Sequence, residues 1–208
     1  MTRPLSRHTL RREFYLRSPE IVARDLLGKL ITVRRNGKRL TGRILETEAY
    51  LGLADPASHA FVGLTARNAV LFGPPGFTYI YFIYGMHYCL NFSCLPDGEP
   101  GGVLIRALEP IEGLATMAQL RHLPAEASPK LLTSGPGRLC EALGITRATY
   151  NNIDVTRPRS TLQVLDDGHH PEAIQITPRI GIRKAADLPL RFVVGPTKPV
   201  PRRPRAAV

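Results

Sequence analysis

The sequence predicts an α+β domain of short helices and antiparallel strands, and three observations point there. Apolar and polar residues alternate along several stretches of strand length, helix signals are confined to short segments, and in the C-terminal third the connections are too short for repeated helical crossovers. No internal repeat recurs, and 208 residues suit one core better than two very small ones. The domain is expected to span residues 1–195, followed at 196–208 by a basic, Pro-rich tail with little to bury, expected to be disordered.

In chain order, Ser18-Pro19-Glu20 supplies a cap, a first-turn proline and an early acid ahead of IVARDLLG, which predicts a short helix ending near Gly28. KLITVRRNGKRLTGRILETEAY then alternates on both sides of Asn36-Gly37, a dipeptide favoured where both turn residues need positive φ, so a hairpin follows. A short helix at ARNAVLF precedes YIYFIYGMHYCLN, read as two apolar strands joined at Tyr84-Gly85-Met86. That stretch holds four of the seven tyrosines of the chain. A large ring at an exposed turn needs a partner to lie against. GGVLIRALEP reads as a strand feeding the helix IEGLATMAQLRH, and GPGRLCEALG as a brief helix with Gly144 beyond its end. The last third offers strands at TLQVLD, IQITPRIGI and LRFVVG.

With 28 Lys and Arg against 17 Asp and Glu, the formal net charge is +11, which suits a polyanion or an acidic membrane surface. The N-terminal arm contributes Arg3, Arg7, Arg11 and Arg12, which read either as phosphate contacts or as a solvated surface. No apolar run approaches the roughly 18 residues that a spanning helix needs, and MTRPLSRHTLRREFY is too polar for a signal peptide, so an intracellular protein is expected. Cys89, Cys94 and Cys140 are odd in number and lack paired CxxC spacing, which reads as reduced core thiols rather than disulfides or a zinc site. His169-His170 reads as a loop pair, and no metal or other cofactor is expected.

The chemistry candidate is RILETEAYLG. If residues 43–50 are a strand, Glu46, Glu48 and Tyr50 share one face with Ile44, and Leu45, Thr47 and Ala49 lie opposite. Taken alone the pattern is open between a solvated charged face and a carboxylate that activates water.

RILETEAYLG, ASHAF, YIYFIYGMHYCLN, VLIRALEPIEGL and SGPGRLC, in that order, resemble the alkyladenine DNA glycosylase family, the 3-methyladenine DNA glycosylases of the mammalian type, and the resemblance extends over about residues 10–195. The resemblance implies a curved antiparallel sheet core flanked by short helices, with a protruding hairpin. It implies Glu48 as the general base that activates water for attack at C1′ and Arg106 as the group that holds this water. Tyr50, His59 and Tyr81 match the walls between which an extruded base stacks, and Asn91 matches the position that crowds the amino group of normal guanine. Tyr84 matches the residue that fills the gap left in the duplex, with Met86 beside it at the tip. The chain departs from the animal members at His87, where they carry another tyrosine.

The function the resemblance implies is release of alkylated or deaminated purines from double-stranded DNA, by a monomer without a membrane partner. The alternative is a noncatalytic protein that binds damaged bases with the same wedge and pocket. No lysine lies between Lys38 and Lys130, which speaks against an amine nucleophile and strand cleavage.

Overall fold

The computed structural model describes residues 7–195, so Arg3 and the expected tail lie outside the described residues. The chain opens with a short strand, β1 (His8–Thr9), and one helical turn, α1 (Arg12–Tyr15). Helix α2 (Pro19–Asp25) begins as expected: Ser18 Oγ accepts from the Ile21 N–H at 3.4 Å, and Pro19 fills the first helical position, where no donor is needed. The hairpin of β2 (Leu30–Arg35) and β3 (Lys38–Tyr50) turns at Asn36 and Gly37, with φ 47° and 72°. A second hairpin, β4 (Thr78–Ile83) and β5 (His87–Ser93), leads to β6 (Gly102–Glu112). Four short helices follow, α3 (Leu114–Leu120), α4 (Pro129–Thr133), α5 (Pro136–Leu143) and α6 (Arg147–Tyr150), then β7 (Leu162–Asp166), β8 (Ile174–Thr177) and β9 (Arg191–Val194).

Three elements differ from expectation, each for a local reason. ARNAVLF forms only a 3-10 turn over Ala69–Phe72. Asn68 is engaged elsewhere, its Oδ1 accepting from the Thr65 N–H while its Nδ2 donates to the carbonyls of His59 and Gly63, and such side-chain bonds compete with helix. The helix expected over IEGLATMAQLRH starts only at Leu114, because Ile111 and Glu112 stay in β6 and Gly113 breaks the path with φ 86°. IQITPRIGI is a strand only to Thr177, since Pro178 brings no N–H to the ladder.

Every ladder among the described residues is antiparallel, in the order β1-β7-β2-β3-β6-β5-β4, with β9 paired to both β3 and β8. The result is a curled half-barrel flanked by short helices. The long strand β3 carries β6 on one side, and on the other β2 and then β9. Its register shifts between Ile44 and Thr47, and a bulge there changes which residues face the core. Ile44 is therefore not beside the acids as expected: it packs in the main core with Ala49.

That core joins Val22 and Ala23 of α2, Leu26 at its C-cap, and Leu139, Cys140 and Leu143 of α5 to Ile80, Leu90, Val103 and Ile105 of the sheet. Thr47, on the same face as Ala49, ties sheet to helix by donating to the Ala23 carbonyl at 2.7 Å. Truncating one of the large aliphatic residues here to Ala is expected to cost about 2–5 kcal/mol. Arg12 is a clamp rather than a free arm cation, bonded to Asp154 at 2.6 Å, to Thr156 and to the Pro75 carbonyl. The three cysteines are free and buried, and no described helix is long and apolar enough to cross a membrane.

Candidate functional site

Strand alternation builds the site. Tyr79, Tyr81 and Ile83 of β4, His87, Cys89 and Asn91 of β5, and Gly102, Leu104 and Arg106 of β6 all line one cavity of about 700 Å³. Their neighbours Ile80, Leu90, Phe92, Val103 and Ile105 point into the core instead. Tyr50 completes this face from the end of β3, and Ser58 and His59 close one side. Chain segments 134–138 and 180–182 form the remaining walls.

Glu48 is fully buried, with none of its surface exposed. Its Oε1 accepts from the Ile180 N–H at 2.8 Å and its Oε2 from the Tyr50 hydroxyl at 2.9 Å, and Arg106 Nη1 lies 3.2 Å from Oε2 as an ion-pair partner. Glu48 does not itself line the cavity, but these three partners do. A carboxylate has about four acceptor positions, and two are taken by these hydrogen bonds, which leaves acceptor capacity beside the Arg106 charge. A solvated strand face is ruled out for this residue by its burial.

Burial, reinforced by the adjacent Glu48, pushes the Tyr50 phenol far above its usual range, so it stays protonated and donates. Burial opposes the charge on Arg106, yet Glu48 and Glu46 together hold its pKa above the ordinary value. The Arg179 guanidinium lies over the Tyr50 ring, 4.7 Å from its centre. Arg179 and Asp55 form an ion pair with neither side chain exposed, and Arg179 also donates to the Ala49 carbonyl at 3.0 Å. This pair pins segment 178–182 over the site, which delivers the Ile180 N–H to Glu48.

His59 bonds through Nδ1 to the Tyr79 hydroxyl at 2.9 Å and sets its ring edge-on to Tyr81, with centroids 4.5 Å apart. Burial first and the charge of Arg67 second lower its pKa, which leaves the imidazole neutral near pH 7. Asn91 is 6% exposed, its Nδ2 tied to the Tyr79 carbonyl at 3.1 Å, so its position is fixed by the backbone. Tyr84 is 76% exposed at the tip of the β4–β5 hairpin with φ 55°, on the rim of the cavity. Met86 is 66% exposed beside it.

The structure thus gathers Tyr50, His59, Tyr81, Tyr84, Asn91 and Arg106 around one cavity with Glu48 behind them, and Met86 stands apart at the tip. Sequence reasoning missed Asp55, Arg179, Ile180, Tyr79 and the Glu46–Arg191 contact. Asp55 and Arg179 lie 124 residues apart, and no local pattern pairs them. Tyr79 had a signal: it stands two residues before Tyr81 and therefore on the same face. Among the described residues no group of three or more His, Cys, Asp or Glu is placed to hold a metal ion.

Comparison with known proteins gives one consistent answer. The family model described as methylpurine-DNA glycosylase (MPG) matches residues 13–198. A protein of Koribacter versatilis (strain Ellin345) is 56% identical over 186 residues, covering 89% of each chain. One from Nitrosospira multiformis is 51% identical over 171 residues, 82% of each, and one from Methanocella arvoryzae 48% identical over 182 residues, 88% of each. All three carry the name "Putative 3-methyladenine DNA glycosylase".

Proposed function

Because this chain belongs to the methylpurine-DNA glycosylase family, whose members are hydrolases of N-glycosyl bonds in DNA, we propose that it releases damaged purines from duplex DNA by a water activated at Glu48. The substrates are purines of the 3-methyladenine, 7-methylguanine, hypoxanthine and ethenoadenine class. The observation that carries this reading is the placement of Glu48, buried directly behind an aromatic-lined cavity with its hydrogen-bond donors Tyr50 and Ile180 and its ion-pair partner Arg106 all on the cavity wall.

The target nucleotide leaves the base stack, and Tyr84, with Met86 beside it, occupies the vacated space. Flipping costs a few kcal/mol, least where damage has weakened pairing, and a ring in the gap offsets part of it. The extruded base stacks against Tyr50, His59 and Tyr81, whose faces attract electron-poor or cationic rings. Asn91, held by its backbone bond, crowds the exocyclic amino group of guanine and so disfavours the abundant normal base.

Water, held between Glu48 and Arg106, attacks C1′ as the C1′–N bond breaks and its electron pair returns to the base. Its proton passes to Glu48, and the carboxylate also stabilises the oxocarbenium character that develops in the sugar. A cationic methylated base departs neutral, whereas hypoxanthine is the poorer leaving group. Methylated purines are therefore expected to be released faster.

The test is Glu48→Gln assayed on duplexes carrying one defined lesion, scored for released base and for alkali-labile sites. Base release is expected to fall by at least about a thousandfold, while DNA affinity changes little. Turnover equal to that of the wild type removes Glu48 from the mechanism. Strand breaks without alkali, together with a covalent adduct trapped by borohydride, would replace hydrolysis by lyase chemistry.

A further inference from the structure

A second carboxylate stands beside Glu48 that the proposed reaction does not use. Glu46 Oε1 accepts from Arg106 Nε at 2.8 Å and from Arg191 Nε at 2.6 Å. Arg191 is itself braced, its Nη1 donating to Thr177 Oγ1 at 2.9 Å. The ion pairs run Arg191–Glu46–Arg106–Glu48 across three neighbouring strands, β9, β3 and β6, with signs alternating. None of the four side chains is more than 19% exposed, so solvent screens the contacts poorly.

The distances differ in a telling way. Arg106 hydrogen-bonds Glu46 through Nε at 2.8 Å but meets Glu48 only as an ion pair, with Nη1 3.2 Å from Oε2. A guanidinium forked squarely onto Glu48 would fill its acceptor positions and hold it as a poor base. Because the guanidinium is planar and rigid, tethering its Nε sets the direction of all its other N–H groups.

We infer that Glu46 is a positioning residue: by holding Arg106 through Nε it keeps the guanidinium from hydrogen-bonding Glu48 and turns its remaining N–H groups toward the water in the cavity. Arg191 in turn fixes Glu46. This rests on the reading in which Glu48 activates water and Arg106 holds it.

The experiment compares wild type, Glu46→Gln, Arg191→Gln, Arg106→Gln and the Glu46→Gln/Arg106→Gln double variant on a duplex with one 7-methylguanine. Single-turnover release at saturating enzyme is measured alongside Kd for a duplex carrying an abasic-site analogue. Glu46→Gln is expected to slow release about 10- to 100-fold with Kd within about twofold, and Arg191→Gln to slow it less. In the Arg106→Gln background the Glu46 change is expected to cost nothing further in release rate, because its effect passes through Arg106, while the unchanged Kd separates this from a loss of structure.

Wild-type release by Glu46→Gln, or a loss that adds fully in the double variant, overturns the inference. If Glu46→Gln fails to fold, the release rate of Arg191→Gln decides alone, slowed at unchanged Kd or not. Glu48→Gln, run in parallel, separates the two ideas: an active Glu48→Gln sinks the proposed reaction, whereas an inactive one beside an unimpaired Glu46→Gln sinks only the role of Glu46.

Discussion

The two hairpins of this molecule turn with nearly the same backbone and opposite side-chain logic. At the β2–β3 tip, Asn36 and Gly37 take φ 47° and 72°, and both residue types are at ease there. At the β4–β5 tip, Tyr84 and Gly85 take φ 55° and 68°. A bulky aromatic residue in the left-handed region costs about 1–2 kcal/mol, and Tyr84 keeps that conformation while 76% exposed. The surroundings differ too. The β2–β3 hairpin lies inside the sheet between β7 and β6, whereas β4 ends the strand order. Near its base the first hairpin is tied to the end of β7 by Lys29–Asp166 and Arg43–Asp167, both at 2.8 Å. The second rests on α5 through His87 and Glu141, and the two come close because Gly137 has no Cβ, which would sit 2.9 Å from the His87 ring. One hairpin is built to hold the sheet together, the other to present a ring beyond it.

Exchanging the chemistry of the two tips breaks the comparison if it is wrong. Tyr84→Gly is expected to slow base release roughly 10- to 100-fold, the equivalent of losing part of a flipping cost of a few kcal/mol. The same change relieves backbone strain, so the melting temperature should hold or rise. Loss of activity with loss of stability would show instead that the ring supports its own hairpin.

Acid sharpens the contrast at the other hairpin. Hydrogen bonding from Arg43 holds the Asp167 carboxyl at about 2, below its value of 3.8 in an unstructured chain. Because the folded value is the lower, this stability is fully present above about pH 4 and disappears as pH falls toward 2. The shift corresponds to about 2 kcal/mol, so Asp167→Asn should unfold more easily at pH 7 and show a shallower loss on acidification, read by denaturant titration at several pH values. The smallest effect is expected from Asn36→Tyr, which places an aromatic ring in the left-handed position of the structural hairpin. It should lower stability by about 1 kcal/mol and leave base release unchanged.

Much of this was legible along the chain. Both hairpins, the cap at Ser18, the stop at Gly144 and the face shared by Glu46, Glu48 and Tyr50 follow from spacing and from residues with distinctive backbone preferences. The errors arose where a side chain or a bulge overrode the local pattern: Asn68 bonding back to its loop, Pro178 ending a strand, and the register shift that sends Ile44 into the core. The family itself was legible because several long blocks, rather than one short motif, carry it.

The sequence by itself determined which residues alternate, which can turn, and which blocks mark the family, because each of these depends on neighbours within a few positions. Only the tertiary structure decided that Glu48 loses all contact with bulk water, that Arg179 reaches Asp55, and that Glu46 lies between two arginines from two other strands. Those outcomes depend on curling one sheet until distant segments meet. The energy of a charge depends on what surrounds it in space rather than on what precedes it in the chain.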